Sequence, residues 1–254
     1  MNQQRVQVTL IQIDNYGPWT NTLGNDREHN LQILQAELYA SLQRKFSEKN
    51  GLLFFNKFDE MLAITNGVTR SEHLRIQEEL VGFPFTLSMS IGVGRNPYEA
   101  HARASRQLQK AGSAQSEVRK RVLVGDQTLT LDEAYAQIIH VDVDGITTLI
   151  DHEDAFKTSQ KLVHSYAELM NLFGQHNSLL FYLGGDNFMG IIGEGDEVAV
   201  VNELHSFRIN GLSLKFGIGR ATTARKAAEL ATMNLEHARH QRNCLISTSY
   251  RDHR

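Results

Sequence analysis

The sequence predicts an α+β protein in which one βαββαβα unit is used twice in tandem. Three observations carry that prediction. Residues 54–65, FFNKFDEMLAIT, and residues 181–192, FYLGGDNFMGII, share two aromatics, a short break, an aspartate and an apolar strand. The offset that lays Asp59 on Asp186 also lays LSMSIG (87–92) on LKFGIG (214–219) and PYEAHARAS (97–105) on ARKAAELAT (224–232). A slightly longer offset lays LIQIDN (10–15) on HVDVDG (140–145). Matched blocks in the same order are the mark of a duplication.

Each half reads the same way. A strand comes first, Val6–Ile13 and Gln137–Val143, alternating or continuously apolar. A long helix follows. Its apolar stripe is Leu31, Leu34, Leu38, Leu42 and Phe46 in one half, and Val163, Tyr166, Leu169, Met170 and Phe173 in the other. Two strands joined by a tight turn come next, 52–56 to 60–65 and 179–183 to 187–192. A short helix and another strand follow, 85–93 and 212–218, and a last helix closes each half. Asn96-Pro97 suits the start of the first closing helix, with Asn as cap and Pro at the first helical position; Thr223 caps the second. The central strand pair is a hairpin, so each sheet is largely antiparallel, with helices on one face. That is the ferredoxin-like, or palm, arrangement. The domains expected are 1–111 and 135–254. The stretch 112–134, rich in Gly, Ser and charge, reads as the linker between them.

Composition bounds the function. The chain has 254 residues, room for two domains, and is 41% apolar. Its 26 basic and 29 acidic residues give a net charge of −3, which offers nothing for nucleic-acid or membrane binding through bulk electrostatics. Cys244 is the single cysteine, so no disulfide framework or cysteine-rich zinc site exists within the chain. The opening residues show no basic-then-apolar leader, and no apolar run is long enough to span a bilayer. A cytoplasmic protein is expected.

The chemistry is expected where the first strand of the second half ends beside its hairpin turn. Asp142 and Asp144 stand at the strand end; Gly184, Gly185 and Asp186 form the turn, with Asn187 after them. Two carboxylates from different strands can share Mg²⁺, with water and phosphate completing the shell of hard oxygens. A pair of such ions can hold the entering and leaving oxygens at a phosphorus. The glycines let the backbone turn sharply and let phosphate approach its N–H groups. The first half departs from this pattern. Gln12 stands for Asp142 and Lys57-Phe58 for the glycine pair, while Asp14 and Asp59 are kept. It either lends Asp14, Asn15, Lys57 or Asp59 to a composite site or serves as support. Lys57 is then a phosphate contact or a solvated turn lysine. The segment Asn15-Tyr16-Gly17-Pro18-Trp19-Thr20 contains the single Trp. It reads as a rigid loop that stacks a purine base, or as a loop packed on the sheet. His140 and His152 flank Asp142, within reach of acid–base work.

The second half resembles the diguanylate cyclase pattern and, more distantly, the class III nucleotidyl cyclases, through HVDVDGIT (140–147), FYLGGDNFMGII (181–192), LKFGIG (214–219) and HQRN (240–243). That resemblance implies metal ligation by Asp142, Asp186 and the Val143 carbonyl. Two departures stand out: Asn187 where cyclases have an acid, and Ile150 where they keep a guanine-reading Asn. Over its full length the chain resembles the GTP cyclohydrolase III family, through LIQIDNYGPWT (10–20), GLLFFNKFDEMLAITNG (51–67), PFTLSMSIG (84–92), NPYEA (96–100), GSAQ (112–115) and HVDVD (140–144). The resemblance implies an archaeal, Mg²⁺-dependent homo-oligomeric hydrolase, helped by a monovalent cation such as K⁺. Its substrate would be GTP, and its pathway flavin and deazaflavin (F420) cofactor biosynthesis. It opens the guanine imidazole ring, keeps the formyl group and releases two phosphates. Asp142, Asp186 and Asp14 are the catalytic candidates. Asp142, Val143, Asp144 and Asp186 are the metal candidates. Gly184, Gly185, Asn187, Asn15, Tyr16, Lys57 and Asp59 are the GTP contacts. The water that attacks C8 is activated by a metal-bound hydroxide or by a carboxylate such as Asp14. The competing readings are a nucleotide cyclase and a non-catalytic GTP sensor.

Overall fold

A computed structural model describes residues 5–146, 154–209, 211–241 and 245–249. The chain forms two compact units, residues 1–95 with 99–134, and residues 96–98 with 135–254. The first contains β1 (Val6–Ile13), α1 (Tyr16–Asn21), α2 (Glu28–Glu48), β2 (Leu52–Lys57), β3 (Glu60–Ile64), α3 (Arg70–Glu79), β4 (Leu87–Gly94), most of α4 (Pro97–Lys110) and β5 (Leu123–Gly125). The second contains β6 (Ala136–Val143), α5 (Ala155–Gln175), β7 (Leu179–Gly184), β8 (Asn187–Ile191), α6 (Glu197–Ser206), β9 (Leu214–Ala221), α7 (Ala224–Gln241) and β10 (Leu245–Ser249). Ile150 and His152, singled out in the sequence, lie outside the described residues.

The two sheets have the same plan, β2-β3-β1-β4-β5 and β10-β9-β6-β8-β7. The first strand of each unit sits in the middle. It is flanked on both sides by antiparallel partners, β1 by β3 and β4, and β6 by β8 and β9. A central strand has no free edge and can be buried on both faces, which fits the nearly continuous burial of β1, its Gln7 and Thr9 included. Each sheet also gains an edge strand that pairs in parallel, β5 on β4 and β10 on β9. The first of these comes from the stretch read as a linker. Residues 112–134 are not free: they add β5, and Gln7 at the start of β1 accepts the Leu129 backbone N–H at 2.7 Å.

One face of each sheet packs on the long and short helices. In the first unit Ile11, Ile13, Met61 and Met89 meet Leu38, Leu42 and Phe46 of α2 and Ile76 of α3. In the second, Val141, Phe188, Phe216 and Ile218 meet Leu162, Leu169 and Phe173 of α5 and Val200 and Leu204 of α6. Each buried large apolar side chain of this kind contributes about 1.5–3 kcal/mol. The expectation of helices on one face is corrected by the closing helices. Successive strand residues face opposite ways, so Gly217 and Gly219 point away from Phe216 and Ile218. A Cβ at Gly217 would lie 2.2 Å from the Leu235 backbone N, and one at Gly219 would lie 2.1 Å from the Ala227 carbonyl. Helix α7 therefore lies directly on the second face of the sheet. Gly92 gives α4 the same seat, 2.0 Å from the Ala100 carbonyl for an added Cβ.

The stripe of α5 is also rotated from the one expected. Val163 and Met170 are exposed, and Leu162, Ser165 and Leu172 are buried. A 3.6-residue period allows two overlapping stripes, and small Ser165 lets the helix approach the sheet. In α2, Gln35 is buried and Leu34 only partly so. No described helix is long and apolar enough to cross a membrane.

Candidate active site

The site of the second unit is built by β6, the β7–β8 turn and α7. Asp142 lies one residue from the end of β6, in register with Asn187 on one side and Lys215 on the other. The turn between β7 and β8 needs φ +108° at Gly184 and +60° at Gly185, a region that side chains disfavour. A Cβ at either glycine would meet nothing within 4 Å, so the turn is open on its outer side. Val143 N–H donates to the Asp186 carbonyl at 3.3 Å, which ties the strand end to the turn.

The side chains are held from behind. Arg239 of α7 grips Asp142 with two nitrogens, Nη2 to Oδ1 at 2.6 Å and Nε to Oδ2 at 3.1 Å. Even so, the Asp142 carboxyl titrates above the ordinary range. Burial is the main cause; Arg239 opposes it, and the Asp186 and Asp144 charges add to it. The Asp142 carboxyl thus feels the other two carboxylates. Asp144 turns aside to Lys215 Nζ at 2.8 Å.

Asp186 is oriented by a relay. Asn187 Nδ2 donates to Asp186 Oδ1 at 2.8 Å, and Asn187 Oδ1 lies 3.2 Å from His140 Nε2. His140 Nδ1 lies 3.0 Å from Thr232 Oγ1. With the amide nitrogen committed to Asp186, the amide oxygen must accept, so His140 carries its proton on Nε2 and accepts the Thr232 hydroxyl on Nδ1. Burial pulls the His140 pKa down; the Asn187 hydrogen bond opposes this and the Arg239 charge assists it. A cavity of about 310 Å³ reaches Asp186 and Gly185 between Ile146, Leu162, Tyr182, Thr158 and Ser159.

The fit to a divalent cation rests on Asp142 and Asp186. They supply hard oxygens from the end of β6 and from the β7–β8 turn. Among the described residues no cluster of three or more metal-binding side chains is preformed. Backbone carbonyl, water or phosphate oxygens would complete the shell.

The first unit is arranged differently. Asp14 is buried, and its carboxylate accepts from Thr86 Oγ1 at 2.7 Å, Ser88 Oγ at 2.6 Å, Arg119 Nε at 3.2 Å and the Arg121 backbone N–H at 3.0 Å. These four donors occupy the Asp14 carboxylate, which anchors the 119–122 segment. Gln12 donates to Glu60, and Arg119 Nη1 donates to Gln12 Oε1 at 2.9 Å. Lys57 is exposed and lies 3.6 Å from Glu60. Asp59 belongs to the β2–β3 turn, where its carbonyl accepts the Ile13 N–H at 3.0 Å. Tyr16 packs on the first core, and its hydroxyl accepts Gln35 Nε2 at 2.6 Å. Asn15 adopts φ +53° just before α1.

The profile of GTP cyclohydrolase III matches residues 8–249. The chain belongs to the GTP cyclohydrolase III family. A protein of that name from Methanothermobacter thermautotrophicus is 48% identical over 240 residues, 92% of this chain and 94% of the relative. Its namesake from Methanocaldococcus jannaschii is 43% identical over 239 residues, 92% and 88% of the two chains. Solved structures with some likeness include the GGEEF domain of a diguanylate cyclase from Vibrio cholerae, at 14% identity and a TM-score of 0.38. It covers 47% of this chain and 85% of that one. A bacterial light-regulated adenylyl cyclase is similar at 12% identity and a TM-score of 0.37, covering 45% and 75%.

Of the residues named from sequence, the second unit brings together Asp142, Val143, Asp186, Asn187, Gly184 and Gly185, with Asp144 alongside. Asn15, Tyr16, Lys57, Asp59 and Asp14 belong to the first unit. Sequence reasoning missed Arg239 and the role of Asn187 as an orienting amide. Arg239 is one of several basic residues on α7 and carries no local mark.

Proposed function

We propose that the second unit hydrolyses GTP at its guanine imidazole ring. The formyl group is retained as a formamide, and the two terminal phosphates leave as inorganic phosphate. The observation that carries this reading is the convergence of Asp142 and Asp186 on an open glycine turn, with a base-sized cavity running up to Asp186. One water is consumed for each bond cleaved. Two waters go to phosphorus, and one goes to C8, whose bond to N9 breaks while N9 takes a proton.

The chain's own groups have separate tasks. The Gly184–Gly185 turn presents backbone N–H groups to phosphate oxygens, with no side chain in the way. Ile146, Leu162 and Tyr182 wall the cavity that takes the base. Thr158 and Ser159 each donate their hydroxyl to a helix carbonyl one turn back, to Asp154 and Ala155. Their oxygens keep lone pairs for the N–H groups of guanine. The relay Thr232–His140–Asn187 fixes Asp186, and Arg239 fixes Asp142, so neither carboxylate must reorganise during the reaction. Asp142 and Asp186 would hold Mg²⁺, with the Val143 carbonyl as a further donor. When bound, the ion supplies charge neutralisation at phosphate and a lowered pKa for water. A monovalent cation such as K⁺ would help, as we infer from the family resemblance.

Incubation with GTP and Mg²⁺, followed by mass spectrometry and a phosphate assay, tests the reading. A ring-opened formamide monophosphate with two phosphates per nucleotide is expected. A cyclic nucleotide, or intact GTP after long incubation, overturns it.

A further inference from the structure

The first unit contains a cavity of about 380 Å³ lined by Asn15, Trp19, Phe83, Phe85, Lys120 and Arg121, among others. Three features distinguish it from a solvated groove. Its floor is aromatic: Trp19 meets Phe85 edge to face at 4.9 Å, and Phe85 lies against Phe83 at 5.4 Å. The amide oxygen of Asn15 is buried and accepts no hydrogen bond. A buried acceptor without a donor costs about 1–3 kcal/mol, so an N–H group of a ligand would gain by donating to it. Finally, two non-glycine residues of the lining hold left-handed backbone, Asn15 at φ +53° and Arg121 at +52°. Such strain persists only where surrounding contacts impose it. Here the imposing contact is Asp14, which takes the Arg121 N–H and the Arg119 guanidinium. The buried carboxylate thereby bends the chain so that Lys120 and Arg121 stand at the cavity mouth. Neither side chain has an ion-pair partner among the described residues.

We propose that this cavity is a second nucleotide site, taking a purine monophosphate. The ring packs on Trp19 and Phe85, an N–H of the base donates to Asn15 Oδ1, and the phosphate rests on Lys120 and Arg121. Stacking and charge pairing of this kind are the elements by which proteins hold planar anions. The site lies wholly within the first unit and does not depend on what the second unit catalyses.

Trp19 is the sole tryptophan of the chain, so its emission reports on this cavity alone. The experiment titrates GMP into protein freed of divalent cations, with excitation at the red edge of the indole band. Inorganic phosphate and guanosine are run in parallel. A saturable change with GMP is expected, weaker with guanosine and absent with phosphate. Lys120→Ala and Arg121→Gly, the latter keeping the positive φ, each weaken GMP by about tenfold. Asn15→Gly weakens GMP and guanosine alike. Asp186→Ala, which disables the second unit, leaves the titration unchanged. No change with GMP overturns the proposal. So does an equal response to phosphate alone, or a response lost in Asp186→Ala. Absence of ring opening in the unaltered protein, with this titration intact, would count against the catalytic reading only.

Discussion

The two units use one frame to opposite ends at the same place. In the second, Asp142 pairs in register with Asn187; in the first, Gln12 pairs in register with Glu60. Acid and amide have changed sides. Both pairs are reached by an arginine from beyond β4 or β9, Arg239 to Asp142 and Arg119 to Gln12 and Asp14. The second unit places its acid beside a bare glycine turn, where the carboxylate stays close to two others. The first seals Asp14 under four donors and fills the turn with Lys57 and Phe58. A second difference runs through the cores. Thr9, Thr65 and His73 form a buried hydrogen-bonded set in the first unit, with Thr9 Oγ1 at 2.7 Å from His73 Nε2. The repeat places Ile139, Ile192 and Val200 at the matching positions of the second, all buried. A duplicated fold thus tolerates exchange of its polar groups as long as each buried group keeps its partners.

The sharpest way to break the comparison is to remove the acid from each unit in turn. Asp142→Ala should lower GTP turnover a thousandfold or more, about 4 kcal/mol of barrier, with the thermal midpoint nearly kept. Arg239 is part-exposed and can re-solvate. Asp14→Ala should instead destabilise the fold by about 3–5 kcal/mol, because Arg119 is left buried and unpaired. Denaturant unfolding separates the two. A stable but inactive Asp14→Ala protein would reverse the roles assigned here.

The core difference predicts a pH effect in the first unit, set by the buried His73. Burial lowers the His73 pKa to about 4 from 6.5, with the Thr69 carbonyl opposing. The unfolded chain therefore binds the proton first. Stability is fully present above about pH 6.5 and is lost as pH falls towards 4, by on the order of 3 kcal/mol. Hydrogen exchange should show the first unit opening before the second on acidification, and His73→Leu with Thr9→Val should flatten the slope. Equal acid sensitivity of both units would remove His73 as the cause.

The smallest effect concerns Arg239. It opposes the upward shift of the Asp142 carboxyl, so Arg239→Gln should move the acid limb of the GTP pH–rate profile to higher pH. An unmoved limb means that Asp142 is not the group being titrated.

Much of this was legible without coordinates. The strands β1 and β6, both hairpins and the glycine turn follow from alternation, glycine placement and the repeat, because these are local preferences with a fixed period. The placing of Asp142 opposite Asn187, beside the glycine turn, followed from strand order, since adjacent strand ends must meet. The rotated stripe of α5 was not legible, because two stripes satisfy one period and only packing against the sheet chooses between them.

The sequence by itself determined the duplication, the strand order around the site and which half keeps the acid beside the glycines. Tertiary structure alone decided which carboxylate is open and which is sealed. Asp14 and Asp142 are both carboxylates near the end of their unit's first strand, although the repeat lays Asp14 on Asp144. Their fates depend on donors that arrive from Thr86, Ser88, Arg119 and Arg239, remote in sequence and unmarked by any motif. A carboxylate's reactivity is set by how many of its lone pairs are already taken and how much water it has lost. Both quantities exist only once distant segments have packed around it.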